Sequence, residues 1–226
     1  MINLNILTKQ QTLVLEQLSK SNLTEKFYLS GGTAIVLFYH PYRISDDLNF
    51  FCEEEVNIQV ILTEIKKLKE KMGYDSLDFE TINNRNLVFL KFKENNYILK
   101  TEFTYYPFTR VENGQKFNML NVDSITDIAV NKLFTIYTTP RYRDFTDLYT
   151  ILTNNKIEFN DILKFARIKF DWEINEMKLS EQLSKVTEKK DAPQYIGDFN
   201  EFNCEKFFLD LSESLFSNKI SYKGKI

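Results

Sequence analysis

A single histidine, His40, is the scarcest catalytic side chain in this 226-residue sequence. One imidazole cannot build a zinc site that needs several, and it argues against a Ser-His-Asp or Cys-His engine. Cysteine is nearly as rare: Cys52 and Cys204 stand far apart, without metal-type spacing, and read as two reduced thiols. No apolar run approaches the roughly 18 residues that a bilayer-spanning helix requires. The opening stretch, MINLNILTKQQ, has no basic region, apolar run or cleavage site of a signal peptide, so a cytoplasmic protein without membrane contact is expected. An excess of basic charge is missing too, since the net charge is -3, and a surface built for non-specific duplex binding is not expected. With only 6 Gly and 4 Pro, the chain should form long regular elements. Any enzyme here must run mainly on carboxylates, a lysine and, where one is bound, a metal.

The chain does have ample material for a core, with 43% hydrophobic residues, 20 Phe and 12 Tyr among them. Residues 8–22 read as an amphipathic helix, and 27–32 as a short strand breaking at the pair Gly31–Gly32. A buried helix follows from Thr33 to His40, then a second strand from Asp47. Residues 56–72 space Ile58, Ile61, Ile65, Leu68 and Met72 for one helix face, leaving Lys66, Lys67, Lys69 and Lys71 as a solvated one. Strands are expected near 77–83, 87–93 and 97–106, separated by turn-rich NNRN and KENN. In the last of them Ile98, Lys100, Glu102 and Thr104 share one face, and Leu99, Thr101, Phe103 and Tyr105 the other. Beyond a polar loop near 110–118, helices are expected to the end, over 143–153, 158–171, 173–189 and 203–217 among others. Ser124 and Asp127 resemble a capping box at the start of the first. The expected fold is α+β, a mixed α/β core over 1–120 followed by a helical region over 121–226.

Three segments carry chemistry. A glycine pair between strand and helix lets backbone N–H groups approach an anion at the helix N-terminus. Shortly after it comes Ser45-Asp46-Asp47-Leu48-Asn49, where Asp47 and Asn49 share one strand face and Asp46 points the other way. Two oxygen-bearing side chains at i and i+2 can chelate a hard cation carrying phosphates. The second segment holds Glu102 on a polar strand face, the third side chain that a two-ion carboxylate site would need. In the third, Ile125, Ile128, Ala129 and Ile136 form an apolar helical stripe that includes Lys132, and a lysine there calls for a partner or a job. Asp144 and Asp147 stand one turn apart on the next helix, preceded by Arg141 and Arg143.

In order and spacing, GGTAI at 31–35, RISDDLNF at 43–50, KTEFTYYP at 100–107, DIAVNKL at 127–133 and RDFTDLY at 143–149 resemble the AbiEii toxin-like nucleotidyltransferases, part of the DNA polymerase β-like superfamily. The resemblance covers about residues 27–153. It implies a nucleotidyltransferase-fold mixed sheet with flanking helices, and transfer of a nucleoside monophosphate from an NTP to an acceptor, tRNA for some members. It also implies Mg²⁺ (or Mn²⁺), and an antitoxin partner. By position, Gly31, Gly32 and Ser45 would support the phosphates, Asp47 would be the first metal ligand, and Glu102 the third carboxylate. Lys132 would meet the triphosphate, with Asp144 and Asp147 as a further acidic motif. The family's second strand aspartate is Asn49 here, a neutral ligand that weakens the hold on a second ion. An active or weakened transferase, a degenerate module that binds without turnover, and a modifier of small molecules all remain open at this point.

Overall fold

The computed structural model describes residues 4–223, and the chain divides after Ser124 into two compact units. In the first, α1 (Lys9–Leu18) precedes β1 (Tyr28–Ser30), α2 (Gly31–Phe38) and β2 (Leu48–Cys52). Next come α3 (Ile58–Lys67), α4 (Lys69–Met72), β3 (Ser76–Ile82), β4 (Arg85–Phe92) and β5 (Tyr97–Tyr105). A hairpin of β6 (Lys116–Phe117) and β7 (Leu120–Val122) closes the unit. The strands form one mixed sheet of order β3-β4-β5-β2-β1-β7-β6, with β2/β5 and β1/β7 parallel and the remaining pairs antiparallel.

Local signals explain where most elements begin and end. Thr8 caps α1, its Oγ1 accepting from Gln11 N at 3.1 Å while Gln11 Oε1 accepts from Thr8 N at 2.9 Å. The helix stops at Leu18, short of the expected residue 22, because Ser21 caps a separate 3₁₀ turn over Asn22–Glu25. The expected helix over 56–72 is two helices broken at Leu68, and it ends where Gly73 takes a left-handed φ of 73°. Ile61, Ile65 and Met72 are buried, whereas Lys66, Lys67, Lys69 and Lys71 are exposed to solvent as expected. In β5 the alternation places Leu99, Thr101 and Phe103 in the core, and the strand is interior, flanked by β4 and β2.

Two expectations need correction. Helix α2 starts at Gly31 rather than Thr33, so the glycine pair is the first turn of the helix rather than a linker before it. The region beyond 118 is not helical from the loop onward: β7 intervenes and pairs with β1, Tyr28↔Asn121 and Leu29↔Val122. Three residues are too few to display alternation, and their hydrogen-bonding partner lies far away in sequence.

The second unit is helical, with α5 (Ile125–Thr138), α6 (Tyr142–Asn154), α7 (Phe159–Lys169), α8 (Glu176–Ser184) and α9 (Glu201–Lys223). Ile128, Ala129, Leu133 and Ile136 of α5 are buried, although Ile125 is half-exposed and does not extend the stripe. Helix α8 begins later than the expected residue 173, because Asn175 caps it through Met177 N and Lys178 N. Asp127, placed on sequence as a capping partner, is buried, and its carboxylate accepts from Lys169 of α7 at 2.6 Å. No helix among the described residues is long and apolar enough to cross a membrane.

Candidate functional site

In the first unit the chain leaves β1 at Ser30 and turns directly into α2, which requires Gly31 at φ +73°. A methyl group on Gly31 would stand 3.4 Å from Asn49 Nδ2. On Gly32 it would stand 2.2 Å from Arg43 Nη2 and 3.1 Å from Ser45 Oγ. The glycine pair is therefore what lets the Arg43–Asn49 segment lie against the start of the helix. That segment is tied down further. Thr33 Oγ1 donates to the Asp47 carbonyl and lies 2.9 Å from Ser45 Oγ, while Gln11 Nε2 donates to the Ser45 carbonyl at 2.7 Å. Arg43 is buried, donating to the Ile44 carbonyl at 2.8 Å and to Tyr42 Oη at 3.2 Å.

The sheet register brings the polar side chains together. Asn49 of β2 stands beside Glu102 of β5 and, on its other flank, beside Ser30 of β1. Directly paired residues project from the same face, so Asn49 and Glu102 are neighbours. Asp47, two residues before Asn49, meets Lys100, two residues before Glu102, at 2.6 Å. Glu102 is 7% exposed and is clasped by Arg85 of β4, with Nε at 2.6 Å from Oε1 and Nη2 at 2.7 Å from Oε2. Thr104 Oγ1 donates to the same Oε1 at 3.0 Å. Burial alone would raise the Glu102 carboxyl pKa, but the Arg85 and Thr104 hydrogen bonds outweigh it and hold the group below the usual value.

In the second unit Lys132 is buried between Asp144, at 2.7 Å, and Asp147, at 2.5 Å. Arg141 also donates to Asp144, from Nε at 2.8 Å and Nη2 at 3.3 Å. Burial pushes the Asp144 carboxyl up, yet Lys132 and Arg141 more than offset this and leave it lowered. The helical spacing of Asp144 and Asp147 thus converges on one ammonium group, and the lysine on an apolar stripe has its partners.

Cations have settled on both carboxylates of the strand face, so the place stabilises positive charge. The hard oxygens of Asp47 and Asn49 suit a magnesium-type ion. No cluster of three or more His, Cys, Asp or Glu side chains among the described residues is arranged to hold a metal. Several participants were not assigned from sequence. Lys100 was placed on the right face without a role, and nothing local marks Arg85, because only the register of β4 on β5 carries it to Glu102. Arg43 stood inside a motif whose signal was read for Ser45, Asp47 and Asn49. A cavity of 400 Å³ lined by Phe103, Asn84 and Asn86 opens on the sheet face opposite Glu102, so it is separate from these residues.

The family profile described as "Nucleotidyl transferase AbiEii toxin, Type IV TA system" matches residues 13–204. The chain belongs to this family. An uncharacterized protein of Aquifex aeolicus (strain VF5) is 29% identical over 169 residues, spanning 73% of this chain and 76% of that protein. The AbiEii-family chain also resembles the crystal structure of JHP933 from Helicobacter pylori, with a TM-score of 0.59 at 15% identity over 99% of this chain and 97% of that one. A candidate nucleotidyltransferase from H. pylori gives a TM-score of 0.58 at 17% identity, covering 93% of each chain. At such identities the likeness establishes the fold, a nucleotidyltransferase-type mixed sheet with flanking helices and a helical C-terminal region.

Proposed function

We propose that this AbiEii-family chain transfers a nucleoside monophosphate from an NTP to an RNA acceptor of the tRNA class, as a cytoplasmic toxin controlled by an antitoxin. The observation that carries this reading is the Gly31–Gly32 turn set against Asn49 and Ser45, with Asn49 paired to Glu102 across the sheet and Asp47 held by Lys100 of the same strand as Glu102. Backbone N–H groups of the first turn of α2 offer donors to phosphate oxygens, and Ser45 Oγ lies close by. Asp47 and Asn49 would hold Mg²⁺ or Mn²⁺ through their side-chain oxygens, once Lys100 moves off Asp47. When bound, that ion neutralises and orients the phosphates of the nucleotide. Lys132 is proposed as the lysine that meets the triphosphate, with Asp144 and Asp147 fixing its position. Phosphoryl-type transfer asks little covalent chemistry of the protein, so positioning and charge are the contributions expected of these residues.

A specific observation favours a second reading. Asn49 is neutral, and Glu102 is already balanced by Arg85, which suits a module that binds a nucleotide without turning it over. The experiment that separates the two is incubation with each labelled NTP, Mg²⁺ or Mn²⁺ and total tRNA, following label into RNA. Transfer that disappears in a folded Asp47→Ala variant is the expected result. Equal inertness of wild type and variant with every NTP would overturn the transferase reading in favour of the binding module.

A further inference from the structure

We propose that Arg85 is a resident counter-cation for Glu102 that takes the place of one metal ion, leaving a single divalent ion to bind at Asp47 and Asn49. The inference rests on the nucleotidyl-transfer reading above. The two carboxylates of the strand face are held in unlike ways. Asp47 meets Lys100 through one contact, Nζ to Oδ2, and both side chains are about a quarter to a third exposed, 26% and 31%. An ammonium on a flexible stem at such a site is easily displaced by a divalent ion. Glu102 is held by a planar fork, and both of its oxygens are engaged, Oε1 by Arg85 and Thr104 and Oε2 by Arg85. Bidentate charge-assisted bonds at a carboxylate whose side chain is only 9% exposed are the stronger and more directional kind.

Charge balance points the same way. With Asn49 in place of a carboxylate, the face carries two negative groups, Asp47 and Glu102, already matched by Lys100 and Arg85. Releasing Lys100 leaves one uncompensated carboxylate and an amide oxygen beside it, which is a ligand set for one ion. A second ion would have to strip Arg85 from Glu102 and would find no third carboxylate to share. Asn49 and Arg85 are neighbours of the same residue, one by register and one by the salt bridge, so the two features act on one position.

The test counts ions rather than turnover. Mn²⁺ alone is titrated against the full chain, and bound ion is read from loss of the free Mn²⁺ paramagnetic resonance signal, with Asp47→Asn as the background. Wild type should take up one Mn²⁺ above that background, and Arg85→Lys, which keeps the charge, should do the same. The double variant Asn49→Asp/Arg85→Gln should take up two. Two ions bound by wild type would overturn the inference while leaving nucleotidyl transfer intact, and so would one ion in a double variant whose circular dichroism matches wild type. Should the double variant not fold, the wild-type and Arg85→Lys stoichiometries still decide. No Mn²⁺ above background in wild type would overturn the inference together with the reading on which it rests.

Discussion

Replacing Lys132 by methionine removes the one ammonium shared by two buried carboxylates. The side chains of Asp144 and Asp147 are 1% and 0% exposed, so neither can recover solvation in place. Asp144 keeps Arg141, whose fork stays in contact through two hydrogen bonds. Breaking a buried pair by deleting one partner costs roughly 3–5 kcal/mol, because a charge is left uncompensated. We expect Lys132→Met to lose about that much, measured by urea unfolding followed by circular dichroism. The two units can be followed as separate transitions by fitting each slope, since a single two-state analysis holds only where they unfold together. For Asp144, whose carboxyl Lys132 helps to hold below the usual value, the deficit should be full above the unfolded aspartate value of about 3.9 and shrink as the pH falls below it. A loss below about 1 kcal/mol, or a deficit that does not change with pH, would refute the assignment of Lys132 as the centre of this ion cluster.

Gly32→Ala should lose about 1–3 kcal/mol in the same assay, because its methyl group would stand 2.2 Å from Arg43 Nη2 and force a buried guanidinium aside; an unchanged midpoint would show that Arg43 moves freely. For Glu102, whose folded-state pKa is lowered despite burial, the stabilisation is present above the unfolded value of about 4.3 and is lost as the pH falls through the folded value. The stability gap between wild type and Glu102→Gln should therefore narrow between pH 6 and pH 3, and a gap that widens on acidification would sink this account.

Much of the fold was legible because its signals are local. Apolar spacing in 56–72 marks Ile61, Ile65 and Met72 as buried, and alternation in 97–106 marks Leu99, Thr101 and Phe103, although Glu102 and Thr104 on the other face are buried as well. The breaks inside these elements were less visible. Leu68 interrupts an apolar pattern without a glycine or proline to mark it, and β7 owes its existence to a parallel pairing with β1 across most of the unit. Short strands of that kind are specified by their neighbours, so a window of sequence around them carries little trace.

The candidate site divides along the same line. Spacing groups Asp47 with Asn49 and Asp144 with Asp147, because periods of 2 and 3.6 place each pair on one face, whereas joining Glu102 to the first pair and Lys132 to the second took the family resemblance. What spacing cannot give is the identity of the counter-charges. Lys100 lies two residues from Glu102, yet its ion pair is with Asp47, just before the neighbouring strand. Arg85 sits at the start of β4, just after a turn, where an arginine ordinarily faces water, and reaches Glu102 only because Leu87 is the residue in register with it. A site read from its carboxylates alone therefore looks more negative than it is. With both cations included, the strand face is already balanced, so the proposed metal ion would bind only where a resident cation yields. The single contact at Asp47 is weaker than the fork at Glu102, so the order of displacement is set by side-chain chemistry that only the register of three strands assembles.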